Sequence, residues 1–123
     1  MHFFSLFDTV NAGKERRGAT MNIKFLGGAR TVTGSCFYLN KGEVRILVDC
    51  GMYQGPDSHA VNRRPFQFDP SEITCLFLTH SHLDHIGLVP RLVKEGFKGE
   101  IITTTAAADI IELILYDSAH IQE

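Results

Sequence analysis

A chain of 123 residues, 44% hydrophobic and 21% charged, has the length of one small domain and enough apolar mass for a modest core. Its formal charge of -2 excludes a broadly basic, nucleic-acid-coating surface, and no apolar run is long enough to span a membrane. Three widely spaced cysteines, Cys36, Cys50 and Cys75, with no Cys-x-x-Cys pair, argue against a disulfide framework and for reduced thiols in a cytoplasmic protein.

In chain order, the start "MHFFSLFDTV" is apolar but short, holds Asp8 and has no basic residue ahead of its apolar part, so it makes a poor signal peptide. Met21 directly precedes the first strand pattern, and residues 1–20 are expected to be an extension outside a fold that occupies 21–123. "NIKFLGG" reads as a strand ending in a double glycine; "SCFYLN" and "VRILVDC" follow as two more, joined by a tight turn at Lys41-Gly42. From Gly51 to about Ser71 a long loop is expected, punctuated by Gly55, Pro56, Pro65 and Pro70. The basic clusters "KERR" at 14–17 and "RR" at 63–64 read as solvated surface, with phosphate binding the secondary reading.

"ITCLFLTH" is a continuous apolar run that predicts an interior strand buried on both faces. "HIGLVPRLVKEGF" predicts a helix with Leu88, Leu92 and Val93 on one side and Pro90 tolerated in its first turn. "GEIITT" predicts a further strand, and "AAADIIELILYDSAHIQE" a longer helix presenting Ile110, Leu113, Ile114 and Ile121. Strands followed by strand–helix–strand–helix imply a mixed α/β (α+β) fold, a sheet covered by helices.

The chemistry lies in "LTHSHLDHIGL", residues 78–88, which places three of the six histidines around one carboxylate. In an extended segment His80 and His82 point the same way, while Asp84 and His85 turn with the chain into the first helical turn. The cluster sits at the carboxyl end of a buried strand, where side chains converge on a crevice. Imidazole and carboxylate are suitable ligands for zinc and related divalent ions, and two adjacent donor sets suit two ions. A surface loop is the plainer alternative. A purely structural zinc fits less well, because no cysteine lies within four residues of the cluster. The isolated His2, His59 and His120 are not assigned to a metal.

"THSHLDH" is similar to the His-x-His-x-Asp-His signature of the metallo-β-lactamase superfamily. "GGARTVTGSC" at 27–36, "LVDCGMYQG" and "FDPSEITCLFLTHSHLDHIGLVPRLVKEGFKGEI" resemble, more narrowly, its β-CASP branch of RNA-processing nucleases, over about residues 22–123. That resemblance implies the amino-terminal part of an αββα sandwich and, in the complete family site, two zinc ions. His80 and His82 would hold one ion, and Asp84 and His85 the other. Asp49 and Asp84 would be the catalytic carboxylates, with Asp49 beside the metals orienting their ligands. The implied activity is hydrolysis of RNA phosphodiesters by a metal-bound hydroxide. Other hydrolases of the superfamily, of thioesterase or lactamase type, and an inactive metal-binding or associating fragment are the alternatives.

Family members run to several hundred residues and carry further ligands downstream, so this chain resembles the start of the metal domain. Apolar strand faces are then expected to need a partner chain, self-association or further sequence. Thr33 and Ser35 in the glycine-rich "VTGS" stretch are not assigned a catalytic role; a phosphate-facing loop is the secondary reading there, and a glycine-rich turn between strands is the commoner outcome.

Overall fold

A computed structural model describes residues 20–122. The expected extension lies outside the described residues except for Thr20, and so do the side chains of His120 and Ile121. Five strands form one sheet in sequence order: β1 (Asn22–Gly27), β2 (Cys36–Lys41), β3 (Val44–Val48), β4 (Cys75–Phe77) and β5 (Glu100–Ile102). The first three run antiparallel, Lys41 pairing with Val44 across a turn in which Gly42 takes φ 59°, a conformation that costs glycine nothing. The pairings β3–β4 and β4–β5 are parallel. This change of sense positions the site. The carboxyl ends of β3 and β4 lie at the same edge, so Asp49 and the histidine segment leave the sheet side by side.

Strand register separates the two faces. Tyr38, Leu47 and Leu76 are aligned across the sheet, and all three are buried. They carry the core together with Ile86 of helix α2 (Leu83–Ile86), Val89 and Leu92 of α3 (Val89–Lys94) and Ile111 of α4 (Thr105–Gln122). The opposite face is also apolar, with Phe25, Phe37, Val48, Phe77 and Ile102 in one row. On it Ile23 is 52% and Phe25 66% exposed, both on the edge strand β1, while Phe37, Val48, Phe77 and Ile102 are half-buried, so the expected apolar exposure of this face is confined to the β1 edge among the described residues.

Differences from the sequence-based expectations have specific causes. The interior strand is shorter than "ITCLFLTH", because ladder pairing covers only Cys75–Phe77. The single helix expected from His85 is two, divided at Gly87-Leu88. The Leu88 N–H leaves the helical pattern to donate to the Cys50 carbonyl (3.0 Å), and Pro90 opens the next helix. In it Val89 and Leu92 are buried, while Val93 is 50% exposed. The long helix α4 buries Ile111 and packs Ala107, Ile114 and Leu115 on the core; Ile110 and Leu113 face outward. "DIIELILY" offers two overlapping apolar stripes, and periodicity alone does not choose between them.

The long loop contains one helical turn, α1 (Ser58–Val61). It is tied down from α3 by Arg91, whose Nη1 donates to the carbonyls of Asn62 (2.7 Å) and Arg64 (2.9 Å). The same guanidinium lies 4.7 Å from the Phe66 ring centroid, and its Nε bonds Glu95. Lysine offers neither the planar fork nor the stacking. Arg91→Lys is therefore expected to cost about 1–2 kcal/mol in chemical denaturation and to raise amide exchange across Asn62–Phe66, leaving the sheet protected.

Candidate metal centre

The strand ends bring the predicted residues together. β4 releases Thr79 and His80 at the rim; His82 is the extended residue before α2, and Asp84 and His85 fall inside that helix's single turn. The His85 and Ile86 N–H groups both donate to the His82 carbonyl (2.8 and 3.1 Å), which closes the turn. His80 lies against both other rings, with centroids 4.8 Å from His82 and 3.9 Å from His85. His85 Nε2 is 3.4 Å from Asp84 Oδ2.

Asp49 enters from the neighbouring strand end and is only 2% exposed. Its backbone is left-handed, φ 61°, unusual for a residue other than glycine. The bend is fixed by its N–H donating to the Phe77 carbonyl (2.8 Å). The carboxylate then faces donors only. Thr79 N–H donates to Oδ1 (2.8 Å), Thr79 Oγ1 lies 2.8 Å from Oδ2, and His85 Nδ1 lies 2.8 Å from Oδ2. An ionised carboxylate only accepts, so the bond to Asp49 places a proton on His85 Nδ1. Thr79 was not singled out by the sequence reading. Its signal was its place between the apolar strand and the first histidine.

The backbone beneath is stitched tightly. Ser35 N–H donates to the Asp84 carbonyl (2.8 Å), Gly51 N–H to Ser35 (2.9 Å), Cys50 N–H to His85 (2.9 Å) and Met52 N–H to Leu83 (3.0 Å). The "VTGS" segment therefore serves as a brace for the histidine loop. Thr33 Oγ1 accepts from Gln54 N–H (3.0 Å). Gly27 packs so closely on the Gly34 carbonyl that a Cβ would overlap it. The buried Cys50 thiol is pushed well above its usual pKa, first by its hydrogen bond with Cys36 and then by burial, which favours the neutral thiol.

The donor set, three imidazoles and a carboxylate with a second carboxylate fixing one ring, fits a divalent ion chemically. Its geometry is gathered rather than closed. Among the described residues, no three or more His, Cys, Asp or Glu side chains form a ready metal-holding group.

The profile described as "Metallo-beta-lactamase superfamily" matches residues 29–120. The chain belongs to that superfamily. It is 44% identical over 103 residues to "Ribonuclease TTHA0252" of Thermus thermophilus, the match covering 84% of this chain and 24% of that protein. "Transcription termination factor FttA" of Methanosarcina mazei is 38% identical over 102 residues, covering 79% and 16%. "Cleavage and polyadenylation specificity factor 73" of Drosophila melanogaster is 35% identical over 100 residues, covering 79% and 14%. The resemblance to the β-CASP branch is borne out by these relatives, and the chain spans a quarter of their length or less. The crystal structure of human tRNase Z, short form, shares the fold at TM-score 0.53 and 23% identity, over 81% of this chain and 41% of that one. Members of the superfamily typically bind metal ions. No helix among the described residues is long and apolar enough to cross a membrane.

Proposed function

We propose that this chain is part of a zinc-dependent β-CASP ribonuclease and contributes residues to its metal centre. One observation supports this above the others. The buried Asp49 carboxylate is hydrogen-bonded to His85 within a cluster that also gathers His80, His82 and Asp84, in a chain 44% identical to a protein named a ribonuclease.

On this reading His80 and His82 hold one ion, and Asp84 and His85 a second. When bound, such ions lower the pKa of water and neutralise charge on a phosphodiester. The chain's own part is to position the donors. Asp49 keeps His85 turned with Nε2 outward, and the Ser35 and Gly51 backbones hold the turn that carries Asp84. An open cleft of about 450 Å³, lined in part by Thr33, Tyr53, Asn62, Arg64 and Phe66, lies beside the braced loops; Asp49, His80, His82, Asp84 and His85 are not among its lining residues.

A second reading, a metal-binding fragment without activity of its own, draws on the short coverage of the relatives and the unclosed donor set. The apolar sheet edge exposed at Ile23 and Phe25 then takes further sequence, a partner or a second copy. The test uses the purified chain, and the same segment grafted into the Thermus relative, on single-stranded RNA, a thioester and a β-lactam with and without chelator. RNA cleavage by the graft, lost on chelation, is the expected result. Zinc uptake by the chain with no turnover of its own would support the fragment reading. Thioester turnover without RNA cleavage would overturn the ribonuclease reading.

A further inference from the structure

We infer that Thr79 is a positioning residue that sets the tautomer of His80, relaying the Asp49 carboxylate to an imidazole it does not touch. The inference rests on proton counting at one hydroxyl. Thr79 Oγ1 lies 2.8 Å from Asp49 Oδ2, 3.1 Å from Asp49 Oδ1 and 2.9 Å from His80 Nδ1. A hydroxyl has one proton to give and two lone pairs with which to accept. The carboxylate cannot donate, so any bond between it and Thr79 uses the hydroxyl proton. What remains for His80 is acceptance. Its Nδ1 must carry the hydrogen, which leaves Nε2 as the bare nitrogen.

The same carboxylate makes the same demand of His85 directly, through Nδ1 to Oδ2 at 2.8 Å. One buried group thus turns two imidazoles the same way, one by contact and one through a hydroxyl. The main chain holds the relay in register, since Thr79 N–H donates to Asp49 Oδ1 at 2.8 Å and keeps the threonine against the carboxylate whatever its side chain does. That makes the hydroxyl separable from the fold. Thr79 is exposed at the rim, and its replacement opens no cavity in the core. The metal consequence rests on the zinc reading above: each ring turned this way presents Nε2 for coordination, and outer partners of this kind typically contribute 10–100-fold to metal affinity.

The experiment compares wild type, Thr79→Val and Thr79→Ser as the 123-residue chain, with two readouts. Two-bond ¹H–¹⁵N correlation of the metal-free proteins, at a pH where the imidazoles are neutral, identifies the protonated nitrogen of each ring. His80 is expected as the Nδ1–H form in wild type and in Thr79→Ser, and mainly as the Nε2–H form, which free histidine prefers in water, in Thr79→Val. His85, bonded to Asp49 directly, keeps Nδ1–H in all three and reports that the site is still folded. Calorimetric zinc titration is expected to show about 10-fold weaker binding in Thr79→Val, restored in Thr79→Ser. A wild-type His80 in the Nε2–H form, or a tautomer unmoved by valine, overturns the relay. If the tautomers behave as stated and wild type takes up no zinc, the relay stands and the metal reading falls.

Discussion

Asp49→Asn is expected to cost about 1–3 kcal/mol of stability and, on the zinc reading proposed above, to weaken zinc binding 10–100-fold. The substitution is chosen because it spares the backbone. Asparagine tolerates the left-handed conformation that Asp49 adopts at φ 61°, so the bend after β3 survives. What changes is the hydrogen-bond sum. Asp49 faces the Thr79 N–H, the Thr79 hydroxyl and His85 Nδ1, all serving as donors. An amide offers one accepting oxygen, and its NH2 must face a former donor. At a position 2% exposed water cannot make good the loss. The cheapest repair is for His85 to move its proton to Nε2 and accept from the amide, and that repair removes the lone pair a metal would use. Urea denaturation and zinc calorimetry on the same preparations read the two costs separately. Because Thr79 acts through the same carboxylate, adding Thr79→Val to Asp49→Asn should cost much less than it does in wild type, as for residues of one network. Wild-type zinc affinity in Asp49→Asn would show that the carboxylate does not orient the ligands.

The parts of this molecule legible in its sequence are those governed by local chemistry. "THSHLDH" announced donors at a strand end, and the turn that places Asp84 and His85 in α2 follows from its position after an apolar run. All five strands could be located, because β-branched and aromatic runs bounded by glycine are sufficient signals. Less legible were features decided by distant partners. The break at Gly87-Leu88 depends on a carbonyl of Cys50, far back in the chain. The face that α4 buries depends on where the sheet lies beneath it. Thr79 looked like the end of a strand, since its function needs Asp49, thirty residues away, to be placed opposite. The glycine-rich stretch kept its identity as a turn, yet its main task, bracing Asp84 through Ser35, appears only when the three loops of the rim are seen together.

That bracing makes Gly51→Ala the substitution with the largest expected effect at the site. Gly51 is buried where the chain passes beneath α2, and a Cβ there would overlap the Asp84 carbonyl and lie 2.8 Å from the His85 nitrogen. Both neighbours are backbone, so no side chain can swing aside. Nor can the loop retreat easily, since the N–H groups of Cys50, Gly51 and Met52 are bonded to His85, Ser35 and Leu83 on either flank. The methyl group must therefore drive the turn outward, carrying Asp84 and His85 away from His80 and from Asp49. Overpacking of this kind costs about 3 kcal/mol or somewhat more, and zinc affinity should fall beyond the 100-fold that marks loss of an outer partner. Gly42→Ala is the matched control. Its φ is 59° and nothing lies within 4 Å of its Cβ, so it incurs only the left-handed penalty of about 1 kcal/mol, in a hairpin remote from the ligands. Denaturation midpoints should place Gly51→Ala well below Gly42→Ala, and only the former should lose zinc. Equal zinc binding by the two variants would mean that the Asp84–His85 turn can shift without consequence, and that metal binding does not depend on this carboxylate–imidazole pair.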